Sequence, residues 1–296
     1  MGQLTTFMQS KQAIANTMFD STKLDSTKQP ASHPSHCEAI ESLDECIDIR
    51  GGYLRYLDNA QPTIEKLTMQ IHAKNWTCIL GKSGCGKSSL LRYLAGLLGD
   101  KVEWRGAVSI QNQQSLSAEV HSQIAYMAQQ DLLMPWLSVL DNVLLSSQFG
   151  EASSLSKEQL TSKALELLEQ VGLRDHAQSL PQQLSGGMRQ RAALARTLMQ
   201  DKPIVLMDEP FSALDAVTRH RLQNLACELL KEKTVVLITH DPQEAIRLAG
   251  QLYIMSGSPA RAVCLHVPKS PTPRKLDAEC AQIQQSILDS LERDYE

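Results

Sequence analysis

Trp76-Thr77-Cys78-Ile79-Leu80-Gly81-Lys82-Ser83-Gly84-Cys85-Gly86-Lys87-Ser88 is the stretch on which the fold turns. Its first five residues read as a short apolar strand. Gly81 to Ser88 then match GxxxxGK[ST] at every fixed position, and Leu90, Leu91, Leu94, Leu97 and Leu98 follow at helical spacing. Strand, glycine loop and helix in that order form a cradle for a phosphate chain. The glycines let the backbone close around anionic oxygens at angles that other residues resist. The loop amides and the start of the helix aim positive dipole ends inward. Lys87 offers a charge to β- and γ-phosphates, and Ser88 offers a hydroxyl to Mg²⁺. The alternative is a glycine turn that binds nothing, and the strand before it and helix after it argue against that. Cys85 sits inside the loop, although the chemistry demands no thiol there.

Outward from this loop, strands and helices alternate. Residues 53–56 and 64–71 read as strands around a turn at 58–62. Helical spacing marks 158–171, 188–199 and about 215–231, and apolar strands are expected at 203–207, 235–239 and 252–255. This alternation predicts an α/β domain with a mainly parallel sheet. Residues 1–46 are rich in Ser, Thr, Gln and Lys with little periodicity, and are expected to be a disordered extension. The ordered domain is expected over 47–260, with 261–296 forming a tail that contains one helix at 277–291.

Ile204-Val205-Leu206-Met207-Asp208-Glu209 is an apolar strand ending in two carboxylates. A strand buried on both faces opens to ligands only at its C-terminal end. Asp208 there suits Mg²⁺, and Glu209 suits the polarisation of an attacking water beside a γ-phosphate. His240 follows the apolar run 235–239; it reads either as a sensor of the γ-phosphate or as an ordinary capping or core residue.

Leu184-Ser185-Gly186-Gly187-Met188-Arg189-Gln190-Arg191 narrows the class. This run resembles the signature of ATP-binding cassette (ABC) proteins, and the similarity covers roughly residues 47–256. Gln129 in Met127-Ala128-Gln129-Gln130-Asp131 looks like that family's glutamine loop. Ser212-Ala213-Leu214-Asp215 resembles its D-loop, and His240 matches its switch histidine. The resemblance implies a P-loop NTPase core with an antiparallel β subdomain on the N-terminal side and a helical signature subdomain. ATP and Mg²⁺ would be its cofactors. Glu209, His240 and Gln129 would be the catalytic set, and Ser88, Gln129 and Asp208 the metal set. Gly81 to Ser88, Ser89, Ser185, Gly186, Gly187 and Asp215 would contact nucleotide. An aromatic residue upstream of the loop would stack on adenine, with Tyr56 first and Tyr53 second. Lys82 departs from the family's usual proline without removing an essential contact.

In the family, the serine–glycine–glycine turn binds the γ-phosphate held by the opposite subunit, so the resemblance implies a head-to-tail homodimer closing on two ATP molecules. Leu132-Leu133-Met134-Pro135-Trp136-Leu137-Ser138-Val139 resembles the segment after the glutamine loop in nitrate, sulfonate and taurine importers, whose relatives also carry thiamine-precursor pyrimidines. Met134 and Trp136 then read either as an apolar docking groove for a membrane permease or as core.

The bulk composition fits. A net charge of −4 argues against a nucleic-acid partner. Seven cysteines without a CxxC pair argue against a zinc site or a disulfide framework and suit a reducing cytosol. No apolar run spans a bilayer. The expectation is an ATPase at the inner face of a membrane, with permease subunits and, indirectly, an extracytoplasmic solute-binding protein. The alternative is a soluble ABC ATPase with a non-transport partner. A degenerate cassette would have lost Lys87, Glu209 or Ser185, and all three are present.

Overall fold

The computed structural model describes residues 45–114, 116–148 and 155–293. In chain order its elements are β1 (Glu45–Tyr56), β2 (Ile64–His72), β3 (Trp76–Gly81), α1 (Lys87–Leu94), β4 (Val102–Ile110), α2 (Ala118–Ser122), β5 (Ile124–Met127), α3 (Val139–Leu144) and α4 (Lys157–Gln170). There follow α5 (Gly186–Met199), β6 (Ile204–Asp208), α6 (Ala216–Leu229), β7 (Thr234–Ile238), α7 (Pro242–Leu248), β8 (Gln251–Ser256), β9 (Arg261–Leu265) and α8 (Ala278–Glu292). The expected disordered extension, residues 1–46, lies outside the described residues except for Glu45 and Cys46, which already belong to β1.

Two sheets carry the chain. The smaller is antiparallel, in the order β2-β1-β4, and the larger runs β5-β6-β7-β3-β8-β9. All its neighbours are parallel except β9, which pairs antiparallel with β8. The residues explain the difference. Ile64, Leu67, Met69 and Ile71 of β2 are buried in alternation, as a sheet packed on one face requires. Every residue of β3, β6 and β7 is buried, as in a sheet covered on both faces. One core packs the helices α3 to α7 against the large sheet, and a second fills the space between the two sheets and α1.

Register sets the functional end. Ile79 pairs with Ile238, Ile238 with Asp208, and Met127 with Met207. The loop after β3, the carboxylates ending β6, the histidine after β7 and the glutamine after β5 therefore emerge side by side at the C-terminal edge of one sheet.

Several expectations need correction. The first helix stops at Leu94, because Gly96 (φ 72°) turns left-handed and ends it, leaving Leu97 56% exposed. β4 carries little apolar periodicity and is fixed by pairing with β1 and by Trp104 stacked 4.2 Å from Tyr93. β9 lies beyond the expected domain end at 260 yet completes the large sheet. The buried Arg274 ties the tail back by donating to the Ile246, Ala249 and Pro268 carbonyls. Cys46, Cys78, Cys85, Cys227 and Cys280 are free thiols. No helix among the described residues is long and apolar enough to cross a membrane.

Candidate functional site

Gly86 precedes α1 at φ 110°, and no side chain caps that helix. Every other α-helix among the described residues starts on a serine or aspartate that accepts from its first-turn amides. The uncapped helix is the one that faces the glycine loop, which leaves its amides for an anion. Glycine is required at two of these positions. A Cβ on Gly81 (φ 153°) would stand 2.1 Å from the Met255 carbonyl oxygen, and one on Gly86 would meet Thr63 Cγ2 at 2.8 Å. The Lys87 ammonium is buried and donates to the carbonyls of Gly81 at 2.7 Å and Lys82 at 2.8 Å, bridging the two arms of the loop. Ser83 and Gly84 are exposed at its tip.

A cleft of about 630 Å³ opens between Lys82 to Cys85, the β1–β2 turn from Asn59 to Thr63, and Gly257. That turn was not singled out by its sequence, which carries no phosphate or base-binding motif. Tyr56 is not among the residues that line this cleft; its hydroxyl lies 3.0 Å from Ser89 Oγ on α1. The Tyr53 ring lies under the Arg105 guanidinium at 5.0 Å.

Asp208 is 1% exposed, and neither carboxylate oxygen has a hydrogen-bond partner within range. Burial pushes its carboxyl above the ordinary aspartate value, an effect that the nearby Ser88 hydroxyl and Arg92 offset in part. A buried carboxylate with no hydrogen bond in range and the Ser88 hydroxyl close by suits a hard divalent cation with oxygen ligands. The residues therefore fit Mg²⁺.

Glu209 follows at φ 50°, a left-handed angle uncommon for a residue with a side chain. Its N–H donates to the Ile238 carbonyl at 3.0 Å. Gln129 Nε2 donates to Glu209 Oε2 at 3.2 Å, and His240 Nδ1 stands 3.1 Å from the same oxygen. The three groups expected to be catalytic thus converge on one carboxylate. The capping alternative for His240 does not hold, since Asp241 caps α7. Arg219 of α6 donates to the Phe211 and Leu214 carbonyls and lies 3.6 Å from Asp241, joining the turn after β6 to the segment bearing His240.

Ser185 caps α5, accepting from Met188 N–H at 3.3 Å, and both it and Gly186 face solvent. They and Gly187 form a second amide-lined turn at a helix start. Asp215 uses its carboxylate to cap α6 through the Thr218 and Val217 amides; the hydrogen bonds from Thr218 above all hold it below the ordinary aspartate value. Trp136 is 73% exposed, which removes the core-packing alternative, while Met134 is half-buried.

Residues 64–212 match the family model described as ABC transporter. The chain belongs to the ABC transporter family. The cassette is 43% identical over 238 residues to an uncharacterised ABC transporter ATP-binding protein of Haemophilus influenzae, covering 79% of this chain and 94% of that one. It is 37% identical to an aliphatic sulfonates import ATP-binding protein of Xanthomonas axonopodis, covering 77% and 88%. To a taurine import ATP-binding protein of Pseudomonas aeruginosa it is 40% identical, covering 71% and 81%. Among solved structures, it superposes with a TM-score of 0.65 and 30% identity on a dimeric ATP-binding cassette in a post-hydrolysis state bound to ADP and Pi. That alignment covers 78% of this chain and all of that one. As a member of this family the cassette binds and hydrolyses ATP.

Proposed function

We propose that the cassette is the motor subunit of an importer at the inner face of a membrane: two copies close on ATP, and hydrolysis reopens them to drive a separate permease. The observation that carries the catalytic half is the convergence of Gln129 and His240 on Glu209, one residue beyond the unpartnered carboxylate of Asp208.

In this reading the amides of Gly81 to Ser89 and the Lys87 ammonium hold the β- and γ-phosphates, and Tyr56 stacks on adenine. Ser88, Asp208 and Gln129 would hold Mg²⁺, which when bound neutralises phosphate charge. Glu209 polarises water and accepts its proton as oxygen bonds to the γ-phosphorus and the bond to the leaving ADP breaks. Gln129 and His240 hold that carboxylate and sense the γ-phosphate.

Pairing is supported by one exposed face. Ser185, Gly186 and Asp215 are open to solvent, as is Val217, an apolar residue 80% exposed beside the D-loop turn. Trp136, a few residues past Gln129, offers the apolar contact for the permease. The similarity to sulfonate and taurine import ATPases supports a small solute such as nitrate, a sulfonate or taurine, or a thiamine-precursor pyrimidine, delivered by an extracytoplasmic binding protein.

The paired mechanism is tested by Glu209→Gln with Mg-ATP on size-exclusion chromatography. A dimer that dissociates when ATP is removed is expected, and a persistent monomer would refute it. The importer is tested by deleting the gene and growing cells on taurine, an alkanesulfonate or nitrate as sole sulfur or nitrogen source, and by thiamine-precursor uptake. Normal growth and uptake throughout would remove the transport assignment.

A further inference from the structure

Gln190 lies on α5, five residues after the Ser185 cap, and is 5% exposed. Its Nε2 donates to the backbone carbonyl of Glu209 at 3.0 Å. Its Oε1 accepts from the Ala213 N–H at 2.9 Å. One buried amide therefore satisfies both of its ends on a single short segment, the turn that runs from Glu209 into the D-loop.

That segment needs holding. Glu209 sits in the left-handed region, which is costly for a residue with a Cβ and persists only where its surroundings enforce it. Its N–H is tied to Ile238 on β7, and its carbonyl also accepts from Ser212 Oγ at 3.1 Å, a contact within the turn itself. Gln190 alone among these holders comes from the helical part of the molecule, on the helix whose first turn bears Ser185, Gly186 and Gly187.

We infer that Gln190 is a positioning residue for Glu209, fixing the strained peptide of Glu209 and the start of the D-loop turn to the helix that begins at the serine–glycine–glycine turn. The inference deepens the reading of Glu209 as the group that polarises water and rests on it. Without the donor, the Glu209 peptide relaxes toward an ordinary backbone angle, and its carboxylate leaves the line set by Gln129 and His240. The link also gives the paired mechanism a path. A phosphate bound at Ser185 pulls on α5, and the pull reaches the carboxylate of the same protomer through one side chain.

The test uses Gln190→Met, which keeps the shape and loses both bonds, and Gln190→Glu, which keeps the acceptor for Ala213 and loses the donor to Glu209. Each is made in the wild-type chain and in Glu209→Gln. Measured are kcat and KM for Mg-ATP and affinity for a fluorescent ATP analogue. In the wild-type background kcat is expected to fall about 10- to 100-fold, with KM and analogue affinity within about twofold. In the Glu209→Gln background neither change lowers the residual rate further, because the group being positioned is already disabled. An unchanged kcat, an equal loss in both backgrounds, or lost analogue binding in both variants would overturn the inference while leaving the role of Glu209 intact. Wild-type turnover by Glu209→Gln itself would instead overturn that role, and the inference with it.

Discussion

Gln129 donates its side-chain amide to the Glu209 carboxylate across 3.2 Å, although the two residues are 80 apart in the chain. The pairing follows from register: Met127 and Met207 are partners across β5 and β6, and each contact residue lies two positions beyond its methionine. Glu209→Gln is expected to lower kcat by about 10²- to 10⁴-fold while ATP affinity is retained. Single-turnover hydrolysis of labelled ATP measures it, and wild-type turnover would remove the base assignment.

The buried Lys87 ammonium bridges the carbonyls of Gly81 and Lys82, so it shapes the loop as well as charging it. Lys87→Ala is expected to weaken ATP binding by at least about tenfold, the loss of one charge-assisted contact of roughly 1.5–3 kcal/mol. Equilibrium binding of a fluorescent ATP analogue reports it, and unchanged affinity would contradict the phosphate-loop assignment.

Asp208 couples stability to pH. Its folded carboxyl is raised by burial above the ordinary 3.8, so the ionised form is disfavoured in the fold. Below 3.8 both folded and unfolded chains carry it protonated. As pH rises through the raised folded value, the protein loses stability relative to Asp208→Asn, and the gap is constant above it. Thermal melts without nucleotide are therefore expected to show Asp208→Asn more stable at neutral pH by a few degrees, on the order of 1–3 kcal/mol for a buried group without a partner. The same variant is expected to lose Mg²⁺-dependent turnover. A difference in melting temperature between the two proteins that is the same at pH 4 as at pH 8 would contradict the account.

Asn142 is fully buried and organises the segment that carries Trp136. It accepts from Met134 N–H at 2.7 Å and donates to the carbonyls of Met134, Leu137 and Ser138 at 3.0–3.1 Å. Asn142→Ala leaves these groups unpaired and is expected to cost about 1–3 kcal/mol. Cleavage between residues 132 and 138 under limited proteolysis is expected to accelerate while ATP affinity holds. An unchanged cleavage rate would show that other contacts hold the segment.

Legibility followed how local each cause was. The strands at 204–208 and 234–238 were readable because they are apolar runs interrupted only at an end, by Asp208 and Thr234, and α4 because its apolar residues recur at helical spacing. β4 was not, since its residues are half-exposed and its order comes from partners in β1. Gln190 stood in plain view within the signature run, but nothing local marks a glutamine whose partners are a backbone carbonyl 19 residues away and an amide 23 residues away.

The sequence by itself determined that a strand, a glycine loop and a helix adjoin at Gly81 to Ser88, and that carboxylates end the strand before Pro210. Those features depend on the conformational freedom of glycine and on hydrophobic runs, both properties of neighbouring residues. Only the tertiary structure decided that Gln129, Glu209 and His240 meet at one oxygen, that Asp208 is buried without a donor, and that Trp136 faces solvent. Each depends on sheet register and on which surface another element covers, and those are set by contacts between segments far apart along the chain.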